Sequence, residues 1–183
     1  MPHRKGTRRL SVHATHYVAS LDLVDIDALV AEGIHLVLLD RDNTCVPRDT
    51  KRAPQSVMDW LDRARASGLE LCLVSNNFHS DQVRQSADEL GMDVVDHAMK
   101  PFPFALGRAM ERFGASREET VMIGDQVFTD VLAGNLAGVS TILVRPQSQR
   151  DLWYTHIFRL FEGLALRGVT FEGESGYGDA EGN

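Results

Sequence analysis

The sequence predicts a three-layer α/β/α sandwich built on a mostly parallel central sheet, and three observations carry that expectation. Unbroken apolar runs at 34–39, 69–74, 120–123 and 140–144 have the Val, Leu and Ile content of strands covered on both faces. They alternate with amphipathic segments each long enough for one helix, the pattern of parallel strands joined by right-handed helical crossovers. Three of the runs also end abruptly in small polar or acidic residues: Asp40-Arg41-Asp42-Asn43-Thr44, Ser75-Asn76-Asn77 and Gly124-Asp125-Gln126. Ligands of open parallel sheets bind just beyond the carboxyl ends of the strands.

A leading helix is expected over 24–32, with Asp25 or Asp22 as its cap. The first strand follows at 34–39. Pro54 suits a first helical turn and Gly68 an exit, which places a helix from 54 to about 66 ahead of the strand at 69–74. The next helix spans 80–90 and leads to a short strand at 92–95. After Lys100, helices at 104–113 and 128–137 flank the strand at 120–123, and the strand at 140–144 completes the sheet. A single domain over 21–170 is expected, between a basic arm (1–20, with Arg4, Lys5, Arg8 and Arg9) and a disordered Gly- and acid-rich tail (171–183).

Composition narrows the function classes. At 183 residues with 43% hydrophobic content, the chain can bury one full core. A net charge of −7 argues against general nucleic-acid binding. Two cysteines make no disulfide framework, which suits a reducing cytoplasm. No apolar stretch approaches the roughly 20 residues needed to span a bilayer, and no signal-peptide core is evident.

The polar strand ends point to one chemistry. Asp40, Asp42, Asp125 and Asp130 would converge with only Lys100 as a compensating cation. Two like charges about 4 Å apart repel by roughly 4 kcal/mol at an effective dielectric near 20. A close, ionised cluster of this kind calls for a hard divalent cation, and Mg²⁺ takes carboxylates, waters and phosphate oxygens. The Lys100 ammonium and Ser75 hydroxyl are suitable donors to a phosphate.

Asp40-Arg41-Asp42-Asn43-Thr44, Ser75-Asn76-Asn77, Lys100-Pro101 and Gly124-Asp125-Gln126 through Asp130 resemble, in order, the four motifs of the haloacid dehalogenase-like (HAD) superfamily of phosphohydrolases. The resemblance covers roughly residues 34 to 144. Within the superfamily the chain is most similar to the small subfamily IIIA, YqeG-like branch, which includes phosphatidylglycerophosphate phosphatases. Weaker hints are Gly33-Ile34 and Thr155-His156-Ile157-Phe158-Arg159 with Glu162. The family fold is Rossmann-like.

The resemblance implies a role for each residue. Asp40 would be the nucleophile, forming an aspartyl-phosphate, and Asp42 the general acid and then the base. Asp40, the Asp42 backbone carbonyl and Asp125 would hold Mg²⁺. Ser75, Asn76 and Lys100 would bind the substrate, with Lys100 also steadying Asp40. Asp130 would orient Lys100 or a metal-bound water, and Asn43 would brace the loop. Thr44 would be a supporting residue whose role stays open, a hydroxyl bond to the loop backbone outside the chemistry being one reading. Two positions depart from the family pattern: Cys45, read as a small buried hydrophobe, and Gln126, where a small or acidic residue is expected.

Neither interval between the first three motifs has room for a separate cap domain, so the site is expected to be open. An open site suits a phosphate displayed on something large, unless a second subunit or the N-terminal segment covers it; a homo-oligomer is compatible with this. Phosphatidylglycerophosphate, yielding phosphatidylglycerol, is the leading substrate on resemblance alone. A soluble nucleotide or sugar phosphate is the alternative, and a non-catalytic scaffold that kept the fold is the alternative of another class. The intact Asp40 and Asp42 pair counts against the scaffold. Peripheral contact with an anionic membrane from the cytoplasm would draw on the basic arm, or on an aromatic helical stripe at 152–166 with Trp153, Phe158 and Phe161. A stripe packed on the sheet is the more ordinary expectation for that helix. The seven histidines show no metal-ligand spacing, and His79 is expected at a helix start.

Overall fold

The computed structural model describes residues 11–76, 80–95, 97–147 and 169–173. Its centre is a six-stranded, all-parallel sheet: β1 (His16–Val18), β2 (Leu36–Leu39), β3 (Glu70–Val74), β4 (Asp93–Val95), β5 (Thr120–Gly124) and β6 (Ser140–Val144). The spatial order is β1-β6-β5-β2-β3-β4. In register, Leu39 stands between Leu73 and Ile123, so β2, β3 and β5 present their carboxyl ends side by side.

The period-two alternation of β2 sorts its side chains to two faces. Val37 and Leu39 join a core with Trp60 and Leu61 of α2 (Gln55–Ala66) and Leu90 of α3 (Ser80–Leu90). Leu36 and Leu38 pack instead with Leu106 of α4 (Phe104–Phe113) and Ala133 of α5 (Leu132–Ala137). Both faces are covered, which is why the strands read as continuous apolar runs. The fully buried Trp60 donates its indole N–H to the Val24 carbonyl at 2.8 Å, so its polar atom is satisfied inside the core. Between β1 and β2, the side chain of Asp25 accepts from the Ala28 amide and caps α1 (Ile26–Ala31).

Chain order runs outward from β2 through β3 to β4, then crosses to β5 and runs outward again to β6. The crossovers change face at that point, so a crevice opens between the carboxyl ends of β2 and β5. No inserted domain interrupts the described residues between Asp40 and Lys100.

Three expectations need correction. The sheet begins before residue 21: His16, Tyr17 and Val18 pair in parallel with Ile142, Leu143 and Val144. A three-residue, half-exposed edge strand has too little apolar content to be seen in sequence. Second, Phe171 and Glu172 are fixed against the domain and do not begin the tail. Phe171 is buried edge-to-face against Tyr17, and Glu172 exchanges backbone hydrogen bonds with Tyr17 and Ala19. Third, the segment after Asp125 does not enter an α-helix directly. A wider π-type turn, Val127–Val131, precedes α5. Residues 1–10 of the basic arm, the aromatic stripe at 152–166, Asn77, His79 and the tail from 174 lie outside the described residues.

Candidate active site

Asp40 leaves β2 at the crevice, its amide bonded to the Ile123 carbonyl of β5 at 2.9 Å. The Lys100 ammonium lies 2.6 Å from Asp40 Oδ1 and 2.7 Å from Asp130 Oδ1. All three residues are buried. Burial alone would pull the lysine pKa down, but Asp130 and Asp40 outweigh it and hold the pKa above its ordinary value. Lys100 is therefore a fixed positive charge.

Its placement depends on the loop after β3. The Lys100 amide donates to Asn76 Oδ1 at 2.7 Å, and Asn76 Nδ2 donates to the Lys100 carbonyl at 2.9 Å. The side chain of Asn76, expected at the substrate, thus grips the lysine backbone. Nearby, the carbonyl of buried Ser75 accepts from the Ala98 amide at 3.0 Å.

Asp130 reaches the same ammonium from the π-type turn. Its Oδ2 accepts from the Gln126 amide at 3.1 Å. It also lies where a side chain at position 124 would be: a Cβ on Gly124 would come 2.2 Å from Asp130 Oδ2. The glycine is required by this close approach. Burial raises the Asp130 pKa to about 6, with Lys100 acting against the rise and Asp40 adding to it. The carboxyl of Asp125 is pushed well above its ordinary value by burial and by the charges of Asp40 and Asp130. The Thr44 hydroxyl points to Asp125 Oδ1, 3.4 Å away, and not to the loop backbone.

Carboxylate oxygens of Asp40, Asp125 and Asp130 lie within 4.8 Å of one another. Three acids here share one ammonium, and Asp130 Oδ1 has no aligned hydrogen bond despite its burial. This all-oxygen, electron-rich set fits a hard divalent cation such as Mg²⁺.

The loop carrying Asp42 is built differently. Asn43 takes a left-handed backbone (φ 61°), and the amides of Cys45 and Val46 both donate to the Arg41 carbonyl. Asn43 Oδ1 accepts from the Arg48 amide at 3.3 Å, closing the turn. The Asp42 carboxylate pairs with the Arg41 guanidinium, whose Nε donates to Ser86 Oγ at 2.9 Å. Burial and the Asp40 charge raise the Asp42 pKa, while Arg41 and Arg48 oppose the rise. Cys45 is wholly buried, and burial pushes its thiol far up, so it acts as a packing residue.

Arg41, Ser86, Arg48 and Gln147 were not identifiable from the motifs. Arg48 acts electrostatically on both Asp42 and Asp125, and its buried Nε has no hydrogen-bond partner. Gln147 donates its backbone amide to the Asn43 carbonyl at 3.0 Å and its side-chain amide to the Thr44 carbonyl. The position of Arg41 between the two aspartates was the one available signal; the others are long-range contacts.

Comparison with known proteins places the chain in a family. The HAD-hydrolase-like family model matches residues 97–156, which contain the Lys100 and Asp125 loops. A probable phosphatase of Bacillus subtilis, YqeG, is 31% identical over 157 residues, covering 86% of this chain and 91% of that protein. The mitochondrial phosphatidylglycerophosphatase of Saccharomyces cerevisiae is 29% identical over 135 residues, covering 66% of this chain and 72% of that one. The crystal structure of 3-deoxy-D-manno-octulosonate 8-phosphate phosphatase from Yersinia pestis superposes with a TM-score of 0.50 at 14% identity, over 77% of this chain and 85% of that one, a likeness of fold. By its motifs, its sheet and its relatives, this chain is a phosphatase of the haloacid dehalogenase-like superfamily and belongs to the YqeG-like, subfamily IIIA branch.

Proposed function

We propose that this phosphatase hydrolyses a phosphomonoester through an aspartyl-phosphate on Asp40, with Mg²⁺ as cofactor and phosphatidylglycerophosphate as substrate. The observation that carries the reading is the bridging ammonium: Lys100 lies between Asp40 and Asp130, with Asp125 alongside. The ammonium thereby fixes the Asp40 carboxylate at the end of β2, where a carboxylate nucleophile must be held.

In the first step an Asp40 oxygen attacks phosphorus in line, and the bond from phosphorus to the alcohol oxygen breaks. Asp42, whose pKa burial and the Asp40 charge raise, gives its proton to the departing oxygen. In the second step Asp42 takes a proton from water, whose oxygen attacks the phosphoryl group. Inorganic phosphate leaves and Asp40 is restored. Lys100 and Ser75 bind phosphoryl oxygens, Asn76 and Asp130 position Lys100, and Asn43 braces the turn. Asp40, the Asp42 carbonyl and Asp125 would hold Mg²⁺, with Asp130 and Thr44 behind them. Bound there, the cation neutralises charge that would otherwise keep the phosphate from the nucleophile.

The catalytic unit then runs from β1 through 170 and includes the edge residues Phe171 and Glu172. The lipid substrate is supported by the yeast relative's name and by the absence, among the described residues, of an inserted domain between Asp40 and Lys100. No described helix is long and apolar enough to cross a membrane, which is consistent with peripheral access to lipid from the cytoplasm. The test is phosphate release with Mg²⁺ from phosphatidylglycerophosphate in mixed micelles, against a panel of soluble nucleotide and sugar phosphates. Preference for the lipid is expected. Preference for a soluble ester would retain the mechanism and replace the substrate.

A further inference from the structure

Five large apolar side chains are markedly exposed among the described residues, and three of them bracket Lys100. Met99 is 60% exposed, Phe102 54% and Phe104 71%. The rings of Phe102 and Phe104 stack on one another, with centroids 6.2 Å apart and planes 20° from parallel. Lys100 runs inward to Asp40 and Asp130, while its neighbours in the same loop face solvent.

A second rim feature carries charge. Lys51 and Arg52 are exposed on the loop that follows β2, and neither forms an ion pair among the described residues. That loop begins at the site, since Arg48 acts on both Asp42 and Asp125. In a chain of net charge −7, the β2–α2 and β4–α4 connections, which both leave the carboxyl end of the parallel sheet, thus carry exposed cations and exposed aromatic rings, with Arg52 also lining a groove beside Glu89.

We propose that this rim is the surface by which the enzyme docks on an anionic lipid bilayer, with Met99, Phe102 and Phe104 entering the interface and Lys51 and Arg52 resting among lipid phosphates. Apolar rings beside cations are what an interfacial site needs: the rings displace water at the acyl boundary, and each cation gains from the negative surface. Three exposed apolar side chains make a small anchor; a stable protein partner would typically engage some 20–30 residues on each side. The proposal rests on the lipid-substrate reading, because docking here brings Asp40 to a phosphate displayed at headgroup level.

The experiment is co-sedimentation of the full chain with vesicles of phosphatidylcholine alone, or of phosphatidylcholine mixed with phosphatidylglycerol. Binding to the mixed vesicles and its weakening by salt are expected. The double variants Phe102→Ser/Phe104→Ser and Lys51→Glu/Arg52→Glu should each lower the partition coefficient about tenfold or more. Their hydrolysis of a small soluble phosphomonoester should stay at the wild-type rate, which also reports that they fold. Failure of the wild type to bind, or variants that bind as it does, would overturn the proposal. Rim-dependent binding without hydrolysis of a lipid phosphomonoester would keep the docking surface and discard the lipid substrate. Hydrolysis in micelles without vesicle binding would do the reverse.

Discussion

Asp40 and Asp42 stand two residues apart, yet the molecule holds them in opposite ways. Asp40 is fixed at the end of a central strand, bonded through its amide to the neighbouring strand and through its carboxylate to an ammonium shared with Asp130. Asp42 sits on a tight turn, where its carboxylate rests against one guanidinium with a second cation nearby. The first arrangement fixes a carboxylate; in the proposed reaction the second gives and takes a proton. The proposed two-step phosphoryl transfer asks for both behaviours at nearly the same point, one from the acid on the strand and the other from the acid on the turn.

The largest test of this contrast is Asp40→Asn. Phosphate release from every phosphomonoester should fall by at least about 10⁴-fold, with the fold intact by circular dichroism. Measurable turnover near the wild-type rate would remove Asp40 from the nucleophile's role. Asp42→Asn should be milder and should depend on the leaving group. A loss of about 10² to 10⁴-fold is expected for an alkyl phosphate, and a much smaller one for p-nitrophenyl phosphate in the first step, since nitrophenolate departs without a proton. Equal losses for both esters would show that Asp42 does not deliver that proton.

The smallest effect concerns cation binding. Asp125 and Asp130 carry raised pKa values without a cation, that of Asp130 near 6, and must lose their protons to serve a metal. Mg²⁺ affinity should therefore fall as pH drops through about 6, where Asp130 gains its proton, by up to about tenfold per pH unit for each proton displaced. Titration calorimetry without substrate reads this directly. A flat profile between pH 5 and 7 would place the cation elsewhere.

Most strands were legible because burial on both faces leaves a long apolar run. β2, β3, β5 and β6 all read this way, and the polar residues at the ends of β2, β3 and β5 marked the crevice. β1 was not legible: its three residues become a strand only when β6 offers backbone partners. Phe171 is similar, an apolar residue in a Gly- and acid-rich context whose value depends on Tyr17 and Arg145, the latter stacking its guanidinium 4.2 Å from the ring centroid. Within the site, the motifs identified which residues meet but not what holds them. Asn76 was assigned to the substrate because its motif borders the phosphate, whereas its contacts are set by a loop 24 residues away. Arg48 and Gln147 belong to no motif, and their positions follow from how two loops pack.

The π-type turn at Val127–Val131 has a consequence for the length of the chain as well as its composition. Each residue of an α-helix advances the side-chain direction by about 100°, and each residue of a wider π-type turn by somewhat less. Asp130 meets Lys100, and fits into the space left by Gly124, only because the count from Asp125 delivers it at the correct phase. Deleting one residue within 126–129 would keep every acid in the sequence and still swing Asp130 away from the ammonium. In aligning or redesigning such chains, the interval between these two acids should be treated as fixed in number, like the spacing of teeth on a gear.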